Sequence, residues 1–393
     1  MSAPNMSIAT TILERITSVT QAGKVALHEP IFDGNELRYV TECIQTGWVS
    51  SVGDYVNRFE RDLADYTGAA HAVVISNGTS ALQVALQLAG VQADDEVLVP
   101  ALSFVATANA VRHCNAWPHF VDSSYQTLGL DPRALDAHLQ EIATLRPEGC
   151  INRRSGRRIT AVVPMHCFGH PVDMPALMEL ARRWQLQVVE DAAESLGSWL
   201  DGQHTGTFGR CAMLSFNGNK IVTTGGGGAI ITNDAALAER AKHLTTTAKQ
   251  PHAWAFFHDE VAYNYRMPNL NAALGCAQLE RIDDFLKAKR KLAQRYAQAF
   301  NDVAEVSLFL ERPNTRANYW LQTLLLAPSI AGQRDAILAA TNAAGQMTRP
   351  VWELLHSLPM YRTCERMQTP VADDLARRII NLPSSPQLVM EAL

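Results

Sequence analysis

Apolar positions three and four residues apart alternate along this chain with short β-branched runs, and that alternation sets the expected fold class. Ile8 to Ile16 forms an amphipathic patch, Leu37, Val40 and Ile44 predict a helix over Glu36 to Thr46 closed by Gly47, and Val56 to Tyr66 predicts a second, ended by Gly68. Between them Trp48 to Gly53 reads as a loop, either lining a pocket or only joining two helices. His71 to Ser76 predicts a strand, Asn77-Gly78 a turn, and Leu82, Ala85, Leu86 and Ala89 one face of the helix that follows. The same reading gives strands at Glu96 to Pro100, Trp117 to Asp122, Ile159 to Pro164, Leu186 to Glu190, Cys211 to Phe216 and Ala229 to Thr232. Helices fall at Ser103 to Asn115, Asp173 to Trp184 and Asp234 to Leu244. Strands alternating with helices predict an α/β fold, a mostly parallel sheet covered on both faces, with ligands at the carboxyl ends of its strands. Leu270 to Leu286 reads as a helix, with Lys287-Ala288-Lys289-Arg290-Lys291 as its solvated continuation toward Phe300. A strand at Leu321 to Leu326 and a helix at Gln333 to Ala344 then suggest a smaller C-terminal domain.

Composition narrows the class. At 393 residues, 47% of them hydrophobic, the chain can bury a large core in two unequal domains. A net charge of −5 gives no general attraction to nucleic acid or acidic membranes. There is no apolar run of bilayer-spanning length and no charged start leading into an apolar core, so a cytoplasmic protein is expected. Seven scattered cysteines without a Cys-x-x-Cys spacing predict reduced thiols and no metal.

The chemistry concentrates at Ser215-Phe216-Asn217-Gly218-Asn219-Lys220, followed by Thr223-Thr224 and four glycines, Gly225 to Gly228. Of seven lysines, the other six (24, 242, 249, 287, 289 and 291) lie in polar or helical surroundings that suit solvated charge, whereas Lys220 sits between an apolar strand and the glycine run. A desolvated amine is available to attack an aldehyde and to act as a base afterwards; the plain alternative is a surface lysine in a turn. A helix starting near Thr79-Ser80 leaves N–H groups free, and Gly78 lets a ligand come close: a phosphate cradle, or merely a hydroxyl cap. The glycine run precedes a strand and not a helix, which disfavours a nicotinamide-binding turn.

These motifs, with Glu190-Asp191-Ala192-Ala193-Glu194, Gly47-Trp48-Val49-Ser50-Ser51, Ser76 to Ala81, Tyr263 to Asn269 and Asn381-Leu382-Pro383, resemble the DegT/StrS-type nucleotide-sugar aminotransferases. The resemblance implies a pyridoxal-phosphate enzyme of the aspartate-aminotransferase fold (fold type I), with residues 1–48 attached to the small domain, 49–285 forming the large cofactor-binding domain and 286–393 the small one. It implies Lys220 as the residue that holds the cofactor and shuttles protons, and Asp191 as the partner of the ring nitrogen. Phe104 would stack on the ring and Glu194 lie near its oxygen. Gly78, Thr79 and Ser215 would contact the phosphate, which Asn264 would reach from the neighbouring subunit of a homodimer with shared active sites. Trp48, Ser50, Arg266, Tyr319, Arg349 and His356 fall where relatives contact the sugar nucleotide, while His166 stays outside the catalytic set. Relatives with histidine at the lysine position act as dehydratases, so Lys220 argues for amino transfer. Within the family the chain looks most like the legionaminic acid and N-acetylbacillosamine branch. That branch implies transfer from L-glutamate to carbon 4 of a UDP-linked 2-acetamido-2,6-dideoxy-4-keto-hexose. The alternatives are a GDP-perosamine synthase-like transfer to GDP-4-keto-6-deoxymannose, or a non-catalytic regulatory protein retaining the fold.

Overall fold

A computed structural model describes residues 7–390. Its main sheet orders the strands His71–Ile75, Gly228–Thr232, Cys211–Ser215, Gln187–Asp191, Arg158–Val162, Glu96–Pro100 and Trp117–Val121. The last five run parallel, and Gly228–Thr232 lies antiparallel to both its neighbours, so the sheet is mixed with a parallel majority. A hairpin, Ala143–Arg146 with Gly149–Asn152, extends from Arg158–Val162. Both faces of the sheet are covered. Val97 and Val99 enter one core with Ala161 and Val189, while Leu98 enters the other with Val162 and Val188. Period-two alternation therefore feeds two apolar layers, which is why these strands are near-continuous runs of apolar residues.

A second, antiparallel sheet orders Val306–Leu308, Gln322–Leu326, Ile379–Leu382 and Arg349–Pro350. Ile12, Ile16 and Val19 of the helix Ile8–Thr20 share its core with Leu292, Tyr296, Leu324 and Ile380.

Two expectations are corrected. The helix expected to run on from Leu270 breaks at Arg281 into Asn269–Glu280 and Ile282–Ala299. Arg281 leaves helical geometry at φ −104°, ψ 0°, and its guanidinium is tied to Asp33 and Asp284. The basic run is not a wholly solvated face either. Lys289 is 0% exposed, on the same stripe as Phe285, Leu292 and Tyr296.

Candidate active site

The carboxyl ends of the strands Gln187–Asp191 and Cys211–Ser215 and the N-terminus of the helix Gly78–Leu88 converge on a cavity of about 380 Å³. Asp191, Glu194, Ser215, Lys220, Gly78, Thr79 and Phe104 all line it. Lys220 follows its strand in a turn closed by its own N–H on the Asn217 carbonyl (3.0 Å). Its Nζ lies 3.5 Å from Glu194 Oε1 and 3.7 Å from the centre of the Trp320 ring. Burial pulls the Lys220 pKa below the ordinary lysine value, with Glu194 and Asp191 opposing that shift. Burial likewise raises Glu194 to about 7, against the pull of Lys220 and of the Phe168 N–H, which donates to Glu194 Oε2 at 2.8 Å.

Asp191 is buried and raised by desolvation, while two donors hold it toward the charged form. The Thr107 hydroxyl donates to Oδ2 at 2.7 Å, and the Ala193 N–H reaches Oδ1 at 3.2 Å. Thr107 is itself paired with the Ser103 hydroxyl at 2.7 Å. Neighbouring Glu190 faces elsewhere, accepting from the N–H groups of Gly206, Phe208 and Gly209 and pairing with His166 Nε2 at 3.0 Å. His166 Nδ1 accepts from the Val172 N–H, so both its nitrogens are occupied in buried structure.

At the helix start the cap is Asn77, whose side chain accepts from the Ser80 N–H at 2.8 Å. Neither Thr79 nor Ser80 acts as the cap. The first N–H groups, at Gly78 and Thr79, have no intrahelical acceptor and line the cavity beside Ser215. Ladder register sets Gly228 opposite both Ile75 and Ser215, and a Cβ on it would fall 2.8 Å from Gly78 N.

The other expected substrate contacts do not gather here. Arg266 pairs with Glu60 Oε1 at 2.6 Å in a part-buried ion pair and does not line the cavity. Tyr319 packs edge-on to His170, and its hydroxyl accepts from the Glu311 N–H. Arg349 donates to Asn342 and His356 lies against the Phe120 ring; neither lines the cavity around Lys220. Asn269 donates to the Trp48 carbonyl and the Ser50 carbonyl, and neither Trp48 nor Ser50 lines this chain's cavity. Asn264 is exposed and outside this chain's cavity. The sequence reading missed Thr107, Trp320, Trp352, Asn217 and Asn219, all of which line it. Thr107 lies in the first turn of the helix Val105–His113, and the Ser103 hydroxyl it pairs with lies two residues before that helix, a short-range polar pair that the sequence displays.

Residues 30–393 match the DegT/DnrJ/EryC1/StrS aminotransferase family. The chain is 37% identical over 365 residues to a GDP-perosamine synthase of Caulobacter vibrioides, covering 92% of this chain and 93% of that one. It is 37% identical over 370 residues to a GDP-perosamine synthase of Escherichia coli O157:H7, covering 93% and 95%. Among solved structures, the aminotransferase TlmJ of Streptoalloteichus hindustanus superposes with a TM-score of 0.83 at 29% identity, covering 92% of this chain and 94% of that one. The protein thus belongs to the DegT/DnrJ/EryC1/StrS family of pyridoxal-phosphate-dependent sugar aminotransferases and has their fold.

The cavity suits that cofactor by its donor set. It offers an amine, a buried carboxylate without a cationic partner of its own, and free helix N–H groups beside a serine hydroxyl.

Proposed function

We propose that this enzyme moves an amino group from L-glutamate to carbon 4 of a nucleotide-linked 4-keto-6-deoxy sugar, with GDP-4-keto-6-deoxymannose as its substrate. The observation that carries the chemistry is the desolvated Lys220 amine set between Glu194 and the Trp320 ring in a cavity that also holds Asp191. The choice of a GDP-linked sugar rests on the two 37%-identical GDP-perosamine synthases. The UDP-linked 2-acetamido sugar expected from the motif around Lys220 is the second reading.

Pyridoxal phosphate, when bound, supplies the electron-withdrawing ring that acidifies the C–H bond of the amino donor. Asp191, aligned by Thr107 and Ala193, would keep a proton on the ring nitrogen. Gly78, Thr79 and Ser215 would hold the phosphate, with Asn264 of a second copy completing it in a homodimer. Phe104 would pack on the ring face, and Lys220 would carry protons between donor and cofactor. The division into a large unit at 49–285 and a small one at 286–393 with 1–48 attached is part of this reading. It is supported by the core that Ile12 and Ile16 share with Tyr296.

The test offers purified enzyme L-glutamate with each nucleotide sugar and weighs the products. Conversion of the GDP sugar to an amine is expected; conversion of the UDP sugar alone would transfer the assignment to the second reading. Lys220→Ala should lose the yellow absorbance of the bound cofactor. Asp191→Asn, nearly the same shape, should slow the reaction with glutamate by about a hundredfold or more. A wild-type protein that never takes up pyridoxal phosphate would exclude the enzyme in favour of a regulatory protein.

A further inference from the structure

Lys289 lies outside every role described so far. Its side chain is fully buried on the helix Ile282–Ala299, and among the described residues no carboxylate pairs with it. Its Nζ donates to two main-chain carbonyls, those of Trp320 (2.7 Å) and Ser384. A lysine buried without a counter-ion is costly, and the hydrogen bonds it makes are its compensation.

Those bonds lead to Lys220. Trp320 is held at each of its polar atoms. Its N–H donates to Asn318 Oδ1 at 2.8 Å, its carbonyl accepts from Lys289, and its Nε1–H donates to the carbonyl of Asn219, the residue before Lys220, at 2.7 Å. Asn318 in turn donates to the carbonyls of Glu194 and Leu196. Tyr319, between them, has φ 50°, a left-handed conformation for a bulky residue that persists only where neighbours over-determine it. The fixed indole then lies 3.7 Å beneath Lys220 Nζ. Ser384, the other acceptor, donates its N–H to the Leu27 carbonyl, so the same amine ties the N-terminal segment and the end of the small sheet to this cluster. His28 follows directly, its ring nitrogens buried beside the Asn219 main chain. Burial, then Lys289 and Lys220, holds its pKa well below the ordinary value, so it adds no charge beside them.

We propose that Lys289 is a positioning residue for Lys220, acting through Trp320. By clamping the Trp320 carbonyl it fixes the indole that both floors the Lys220 amine and anchors the turn on which Lys220 stands. The relay rests on the reading of Lys220 as the residue that captures the cofactor and moves protons. A lysine displaced by about 1 Å from its working position loses on the order of a hundredfold in rate without losing its chemistry.

The experiment uses full-length protein freed of cofactor. Absorbance follows the rate at which added pyridoxal phosphate is captured, and then the single-turnover reaction with L-glutamate alone. Wild-type protein is measured first; if it captures no cofactor, the underlying reading of Lys220 fails before any variant is made. Lys289→Met, which fills the space but donates nothing, is expected to slow both steps about tenfold or more. The half-saturating glutamate concentration should stay within about twofold, because no substrate contact is removed. Trp320→Phe, which loses the bond to the Asn219 carbonyl and part of the ring beneath Lys220, should also slow both steps, and the double variant should be no slower than the worse single one. Lys289→Met within twofold of wild type, a loss confined to glutamate affinity, or two effects that simply multiply would overturn the relay. If Lys289→Met gives no cooperative melt, Lys289→Gln, which keeps an N–H donor on a shorter side chain, decides in its place. Capture at the wild-type rate would then sink the proposal, and slowed capture with an unchanged melt would uphold it.

Discussion

Glu194 is the residue whose titration reports most directly on the site. Its carboxyl is raised from 4.5 to about 7 by burial, against the opposing pull of Lys220. The folded protein therefore keeps this proton to higher pH than the unfolded chain. The stability it contributes is present below about pH 4.5 and is lost as pH rises through about 7. For cofactor-free protein the loss across that window is about 3 kcal/mol. Glu194→Gln removes it, so the difference in urea stability between variant and wild type should grow from pH 5 to pH 7.5. A constant difference would show that Glu194 does not titrate there. The same scale explains what sequence could and could not reveal. Lys220, Asp191, Glu194, Gly78, Thr79, Phe104 and Ser215 stand at strand ends and helix starts, positions that topology brings together, and all seven meet at one cavity. The pairing of Arg266 with Glu60, 206 residues away in sequence, left no local signal. Trp320, which lines the cavity, follows Tyr319, whose left-handed φ no local pattern announces. Lys289 was legible in principle, since a lysine spaced three and seven residues from Leu292 and Tyr296 sits on an apolar stripe. Charge density hid it.

At the scale of elements, the period-two and three-to-four patterns place the seven main strands and most helices within a residue or two, because each buries a continuous apolar face. The break at Arg281 and the strand Ile379–Leu382 depend on partners far away in sequence, Asp33 and the strand Gln322–Leu326, and leave only a weak local pattern. The turn from Asn77 to Gly78 shows how an element boundary becomes chemistry. Asn77→Ala removes the cap from the Ser80 N–H and should cost about 1 kcal/mol in urea denaturation. Gly228→Ala is the sharper test, because its Cβ would lie 2.8 Å from Asn77 C and Gly78 N, backbone atoms that have no rotamer to change. Strain of about 1–3 kcal/mol then falls on the cradle. Titration of cofactor-free protein with pyridoxal phosphate should show affinity reduced about tenfold or more. Unchanged affinity would mean that the phosphate lies elsewhere.

For the whole molecule, the question is how Asn264 could serve a cavity it does not line. It is exposed, in a stretch that also exposes Trp254, Phe256, Phe257 and Val261, and Leu37, Ile44, Trp48 and Val52 form a second set of exposed apolar side chains. A lone subunit would leave these large side chains in water, whereas a symmetric dimer can cover both sets and carry Asn264 to the neighbour's phosphate site. That arrangement makes a prediction no single-chain site can mimic. Lys220→Ala and Asn264→Ala should each be nearly inactive alone, for different reasons. Unfolded together and refolded at equal amounts, they should form mixed dimers in half of the molecules. In each mixed dimer one site lacks both residues and the other has both intact, so about a quarter of wild-type sites should return. Glutamate-dependent amination measured before and after mixing reads the result. If activity after mixing stays at the average of the two variants, although mass measurement shows mixed dimers, Asn264 works within its own subunit or not at all, and the shared site is wrong.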